Sequence, residues 1–261
     1  MASLEPYVPY KGNKFQIVEN IYNSIISSCP ASIRGFVDAF TGGGSFAYFA
    51  ASHNYPVLAN DIDSSVIALH RACKDCPLEI EGWAKIPYTK SGFKAILADE
   101  TAKGALIRSL WSFSNDGRTY LTSTENEQNK IEQFLRGEAE PNSRYKHVED
   151  IILLQVQRKL DLTFVCGSYE ELQIPENFVV VADPPYANSS GYRSGGFDHD
   201  KFYKWCLEQP GYVYISEYSM PDEFTLVDEY FKWVESGRGA RTKAGVERLY
   251  CNKPVKKLSL F

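Results

Sequence analysis

GFVDAFTGGGS (Gly35–Ser45) is an apolar run that closes on an acid and then on three glycines, just before a helix-forming segment. That order is how a buried strand hands over to a helix whose N-terminus faces a ligand. Glycines let the backbone come close, and the first helical turn offers N–H donors. The spacing differs from GxGxxG and no GK[ST] follows, so the dinucleotide and P-loop readings are weak. Asp38 at the strand end suits a cationic amino group better than a phosphate. A plain tight turn accounts for the same residues.

Outward from this stretch, similar short runs recur at Tyr55–Ala59, Leu162–Cys166, Phe178–Ala182 and Tyr212–Ile215. They are rich in valine and aromatics and do not alternate with polar residues, which implies strands buried on both faces in a largely parallel sheet. Helices are expected at Asn13–Ser28, Ser45–Ser52, Ser64–Cys73 and Asp198–Leu207, with Asp198 as an N-cap. Residues 79–160 differ: no buried strand stands out, and helices are expected at Gly92–Leu110, Glu125–Arg136 and Tyr145–Leu160. The block reads as an insertion between two strands of a doubly wound core. The layout is therefore a core of residues 1–78 and 161–261 with an inserted subdomain, 79–160. Two further strands are expected at Phe224–Val234 and Val246–Asn252, joined by a basic, glycine-rich and mobile loop, Glu235–Gly245.

Two more strand ends carry chemistry. Asn60-Asp61-Ile62-Asp63 follows the second strand, where an acid can accept both hydroxyls of a ribose. Asp61 suits that role and Asp63 suits an N-cap. Asp183-Pro184-Pro185-Tyr186 follows FVVVA. Two prolines cannot continue a ladder, so the chain leaves the sheet there and presents a carboxylate and an aromatic ring at the ligand-binding edge. Cys73 and Cys76 form a lone CxxC with no second pair at zinc spacing, so no metal is expected.

The 261 residues are 44% hydrophobic and 23% charged, a globular composition that excludes disorder. No run of eighteen apolar residues offers a membrane span. The start lacks the apolar core of a signal peptide, and six scattered cysteines form no disulfide scaffold, so a cytoplasmic protein is expected. The net charge is −5, yet Gly237–Phe261 carries seven basic residues and one acid. A basic tail on an acidic body fits an enzyme that visits nucleic acid, and equally a solvated tail.

PYKGNK (Pro9–Lys14), DAFTGGGS (Asp38–Ser45), NDID (Asn60–Asp63) and DPPY (Asp183–Tyr186), in this order, resemble the Dam-type family of adenine-specific DNA methyltransferases, and the stretch from DPPY through GFDHDKFYKWC to YISEYSMP resembles its phage and prophage members most. The resemblance implies a Rossmann-like S-adenosylmethionine-dependent methyltransferase fold: a mixed, mostly parallel seven-stranded sheet with a mainly helical inserted target-recognition subdomain. It implies S-adenosylmethionine as donor and S-adenosylhomocysteine as product. Tyr10, Lys14, Asp38, Phe40, Gly42, Gly44, Ser45, Asp61, Ile62, Ser168, Tyr169 and Asp183 would hold the donor. Asp183, Pro184, Pro185 and Tyr186 would handle the exocyclic amine of a flipped adenine. For DNA the candidates are Asn115, Arg118 and Tyr120 in a turn about Asn115-Asp116-Gly117, residues that equally serve only to shape the turn, and Arg238, Arg241 and Lys243 in the basic loop. Arg144, Lys146, Arg158 and Lys159 are candidate phosphate contacts or a solvated face. The resemblance leads to the expectation of duplex DNA as partner, of a cognate restriction endonuclease in a bacterial or phage setting, and of a monomer or weak dimer. The rivals are transfer to cytosine N4, transfer to a protein glutamine amide, and a non-catalytic DNA-binding relative. Aspartate at the head of DPPY, the motif order and the intact glycine turn favour adenine.

Overall fold

The computed structural model of the chain describes residues 4–120, 133, 144–185, 197–235 and 241–256; of residues 114, 232–235 and 241–244 it describes the backbone only. Seven strands form one sheet in the order β3-β2-β1-β4-β5-β7-β6. They are β1 Gly35–Asp38, β2 Val57–Asp61, β3 Leu162–Cys166, β4 Phe178–Ala182, β5 Val213–Glu217, β6 Thr225–Glu235 and β7 Arg241–Cys251. Strands β1 to β5 pair in parallel, and β7 runs antiparallel between β5 and β6.

Side chains alternate between two buried faces, as a sheet covered on both sides requires. Phe36, Val179, Val181 and Tyr214 join one apolar cluster, while Val37, Val180, Ala182, Val213 and Ile215 join the other. Burying a side chain of this size contributes about 1.5–3 kcal/mol. The first face is covered by α1 Val18–Ser28 and α2 Ser45–Ser52, the second by α8 His199–Glu208. Between β2 and β3 run α3 Ser64–Asp75, α4 Pro77–Ala84, α5 Lys90–Ala95, α6 Ala102–Trp111 and α7 Tyr145–Gln157. Leu106, Ile107, Leu110 and Ile151 of this segment share the apolar cluster of Phe36 and Val57.

Several expectations shift. The helix expected over Gly92–Leu110 is two, because Asp99 accepts the Thr101 N–H and Thr101 caps α6 by accepting the Gly104 N–H. Helix α4 was not foreseen; it starts on Pro77, whose missing N–H costs nothing at a helix start. The first helix opens as a 3-10 turn, Phe15–Ile17, entered where Asn13 Oδ1 accepts the Phe15 N–H. The joining stretch expected as a loop over Glu235–Gly245 is strand from Arg241 onward, where Arg241 pairs with Glu235 and Lys243 with Trp233. The helix expected at Glu125–Arg136 lies outside the described residues, save for Gln133. Among the described residues no helix is long and apolar enough to cross a membrane.

Candidate active site

The order of the strands reverses between β1 and β4, since connections run outward from β1 on one side and from β4 on the other. A sheet of this kind opens a crevice at that point, beyond the carboxyl ends of its strands. The glycine turn borders it. Gly44 has φ +77, and a Cβ there would meet the His70 and Tyr48 rings at 2.9 Å. A Cβ on Gly43 would lie 2.3 Å from the Val8 carbonyl, because the N-terminal segment crosses the turn. Only glycine fits either place.

Buried groups hold this turn from below. Asp61 Oδ2 accepts the Gly42 N–H at 2.8 Å, and Oδ1 accepts the Asp63 N–H at 2.9 Å. Burial pushes the Asp61 carboxyl up to about 6. The His70 Nε2–H donates to the Gly42 carbonyl at 2.8 Å, and the Tyr48 hydroxyl lies 3.0 Å from Nδ1. Burial lowers His70 to about 4, so the ring is neutral at physiological pH and Nδ1 accepts. The Asp38 carboxylate takes the N–H groups of Phe40 and Ala47. Burial, with Asp183 and Asp61 nearby, pushes it up to about 8.

The crevice is a cleft of about 340 Å³. It brings together Tyr10, Lys14, Phe40, Gly42, Ser45, Asp61, Ile62, Ser168, Tyr169, Asp183 and Pro185. Asp38, Gly44 and Pro184 are not in its wall; Asp38 and Gly44 form the turn beneath it. Tyr186 lies outside the described residues. Asn13, Asn60, Phe197 and a charged rim of Glu170, Asp198 and Lys201 also line the cleft and were not foreseen as site residues. Lys201 Nζ sits 2.8 Å from Glu170 Oε2. Asp198 was legible only as the cap of α8, which it is, accepting the Lys201 N–H.

At the far end of the cleft Asp183 is held by Lys14, whose Nζ lies 2.6 Å from both carboxylate oxygens. Glu247 Oε1 approaches the same ammonium at 3.1 Å. Burial works against the Lys14 charge, but Asp183 and Glu247 outweigh it and its pKa rises. Glu217, at the end of β5, is pushed up to about 7 by burial, with Asp183 and Glu247 adding to the shift.

The inserted segment corrects two expectations. Ser112 bridges Tyr120 and the Phe113 N–H meets the Thr119 carbonyl, so the turn about Asn115-Asp116-Gly117 exists. Arg118 stands exposed on it and Asn115 is half-buried. Tyr120, however, is buried; its hydroxyl donates to the Tyr88 carbonyl and its ring stacks on Trp111. Its ring and hydroxyl are engaged within the protein. Arg144 likewise donates to the Ser112 carbonyl at 2.6 Å and to the Leu110 carbonyl, closing the end of α6. Arg158 donates to the Ser52 carbonyl at an exposed position. Arg238 lies outside the described residues, and Arg241 and Lys243 are placed by their backbone in β7. Among the described residues no cluster of His, Cys, Asp or Glu could hold a metal ion.

A mostly parallel sheet with this strand order, a terminal antiparallel pair and an acid-tipped cleft at the reversal point defines a Rossmann-like methyltransferase fold. The chain belongs to the D12 class N6 adenine-specific DNA methyltransferase family, whose sequence profile matches residues 10–205. It is similar to the type II methyltransferase M.FokI of Planomicrobium okeanokoites, 24% identical over 201 residues, 72% of this chain and 30% of the relative. Over 57 residues it is 42% identical to M2.HphI of Haemophilus parahaemolyticus, 22% of this chain and 16% of that one. The chain thus spans less than a third of the length of either relative. Among solved structures, a putative RNA methyltransferase of Pyrococcus horikoshii is 12% identical, with coverage of 99% and 92% and a TM-score of 0.43. The rRNA methyltransferase aviRa of Streptomyces viridochromogenes is 12% identical, with coverage of 94% and 87% and a TM-score of 0.41. The strand order, not these loose likenesses, defines the fold.

Proposed function

We propose that the chain moves a methyl group from S-adenosylmethionine to the exocyclic N6 amine of an adenine in DNA. The observation that carries this reading is one cleft with two chemically distinct ends: the glycine turn with Asp61, and the corner lined by Asp183 and Pro185. Family membership supplies the base and the polymer.

The cleft suits the donor. Ile62 is 61% exposed there and offers an apolar face to an adenine ring, with Ser168 and Tyr169 along its edge. A carboxylate has about four lone-pair sites, so Asp61 retains acceptor capacity for a ribose hydroxyl beyond the N–H groups of Gly42, Asp63 and Ile62. Asn13 Nδ2 is buried in the cleft lining without a hydrogen-bond partner, and an anionic ligand carboxylate would satisfy it. Tyr10 closes over the turn. In this reading Asp38 serves the amino end of the donor through the turn it holds, from beneath the cleft.

S-adenosylmethionine supplies an electrophilic methyl group on a sulfonium sulfur. The chain's own task is to prepare the amine, whose lone pair is delocalised into the adenine ring. Asp183 and the Pro184 carbonyl accept its two N–H groups and draw the nitrogen towards sp³ geometry. The N–CH3 bond forms as the S–CH3 bond breaks, S-adenosylhomocysteine leaves, and one amine proton passes to solvent. Lys14 keeps Asp183 ionised and oriented. Tyr186 completes the arrangement as the stacking ring. A duplex hides the amine, so the target adenine leaves the stack to reach this corner.

Residues 79–160 present the DNA-reading turn, with Arg118 and Asn115 on it, and Arg238, Arg241 and Lys243 bind phosphate. The setting is cytoplasmic, where DNA and donor meet. The relatives' naming as type II methyltransferases supports pairing with a restriction endonuclease. Incubation with donor and genomic DNA, followed by base-resolution mapping, tests the reading. Methylated adenines in one recurring sequence support it; unmodified DNA at saturating donor overturns it.

A further inference from the structure

Behind Asp183, among the described residues, a second and buried carboxylate shares its lysine. Glu247 on β7 is 1% exposed, and its Oε1 both accepts the Ser216 hydroxyl at 2.6 Å and lies 3.1 Å from Lys14 Nζ. The same Nζ is 2.6 Å from each Asp183 oxygen and 3.1 Å from the Gly12 carbonyl. Four acceptor atoms therefore surround an ammonium that has three protons. A buried carboxylate costs free energy unless it is well paired, and an apolar side chain would fill the β5–β7 seam without that cost. Asp183 alone would satisfy the lysine. Glu247 competes for it.

The competition bears on how well Asp183 accepts a hydrogen bond. A carboxylate keeps lone pairs beside an ammonium, but one whose charge is largely offset by that ammonium accepts a further hydrogen bond more weakly than one whose ammonium is shared, and one with no ammonium beside it takes a proton more readily. We propose that Glu247, restrained by Ser216, is a positioning residue that draws off part of the Lys14 charge and so leaves Asp183 ionised but still able to accept the target amine. This rests on the reading of Asp183 as amine acceptor. It adds residues from β5 and β7 that lie outside all four sequence motifs.

Other charges face the same group. Glu217 stands at the end of β5 beside Tyr218, and Asp38 approaches from β1. Glu217 and Asp38 titrate near neutrality, so the test compares variants at each pH rather than interpreting one profile. Glu247→Gln keeps the shape and the acceptor for Ser216 but removes the charge, which commits Lys14 to Asp183. Transfer should then slow on the order of tenfold in kcat, with KM for the donor little changed, the pattern of an interaction that matters in the transition state. The acid limb of the kcat–pH profile should move to lower pH. Ser216→Ala frees Glu247 to pull harder on Lys14, so its acid limb should move the opposite way, to higher pH.

Opposed shifts support the proposal. Unmoved limbs, or shifts in one common direction, overturn it, since loss of packing alone has no reason to change sign. If Glu247→Gln does not fold, Ser216→Ala decides alone: a raised limb supports the competition, an unmoved one overturns it. Asp183→Ala separates the two levels. Retained transfer in that variant removes the amine-acceptor reading itself. An inactive Asp183→Ala beside an unchanged Glu247→Gln removes only the role of Glu247.

Discussion

The sheet edge and the inserted segment use polar side chains in opposite ways. At the edge, Asp61, Asn60, Lys14 and Asp183 are tied on one side to backbone or to each other and border the cleft on the other. In the insertion, Arg108 donates to the Ile96 and Asp99 carbonyls and to Ser65, Arg144 to Leu110 and Ser112, and Tyr120 to Tyr88. The difference follows from what each backbone leaves unpaired. A parallel sheet satisfies its own N–H and C=O groups through the ladder, so side chains at the strand ends remain available to a ligand. Short helices orphan up to four carbonyls at each C-terminus. Arg108 and Arg144 close such ends at Ile96, Leu110 and Ser112, while Tyr120 ties down the loop carbonyl of Tyr88.

This contrast can be broken, most forcefully at the edge. Asp183→Ala should lose methyl transfer by about 10²–10³ while keeping donor affinity, the usual cost of removing one well-placed hydrogen-bond partner of the transition state. Single-turnover kinetics with saturating donor reads it, and retained turnover would make the carboxylate structural. Asp61→Ala should instead weaken donor binding by roughly 10–100-fold in calorimetry, the range of one to two kcal-scale hydrogen bonds to a charged group. Asp61 also predicts a pH dependence. Burial raises its pKa to about 6, so the ionised form that accepts a ribose hydroxyl is present above pH 6 and is lost as the pH falls through that value. Donor affinity should drop towards a limit of about tenfold per pH unit below it. A flat titration from pH 7.5 to 5 would place the ribose elsewhere.

Surface groups should give the next largest effects. If Arg238, Arg241 and Lys243 each contact phosphate, their triple alanine variant should flatten the slope of log affinity against log salt by about 3 units, with site preference unchanged. Arg118→Ala should do the reverse, relaxing discrimination at one base pair by roughly 1–3 kcal/mol with little change in slope. Equal slopes for wild type and the triple variant would leave these residues without a phosphate contact. The smallest effect belongs to the interior of the insertion. Tyr120→Phe should cost about 0.5–1.5 kcal/mol of folding stability in denaturant melts, the worth of one internal hydrogen bond, and leave DNA discrimination intact. Altered discrimination would restore Tyr120 to the interface.

What the sequence made legible was local. The glycine turn, Asp61, the Asp63 cap and DPPY each stand at the end of a strand, where acids, glycines and prolines have few other uses, and the strands at Leu162–Cys166 and Phe178–Ala182 lie where their valines placed them. Long-range pairing stayed hidden. Nothing in VERLY marks Glu247 as buried; it resembles an outward polar residue of an alternating strand until β7 inserts between β5 and β6. Lys14 meets Asp183 across most of the chain for the same reason. The start of β7 was misread because Arg241–Gly245 has the composition of a loop, whereas pairing with the long strand β6 overrides weak β-propensity.

If the amine taken up at Asp183 and Pro184 belongs to adenine in DNA, the product nucleoside carries the new methyl group on N6. The most direct test follows the methyl group itself. The protein is incubated with a duplex and a donor labelled on the transferred carbon, the DNA is digested, and the labelled nucleoside is identified. The account predicts label in N6-methyladenosine of the deoxy series and in no other nucleoside. Label in N4-methylcytosine, or label in protein with none in DNA, would contradict it.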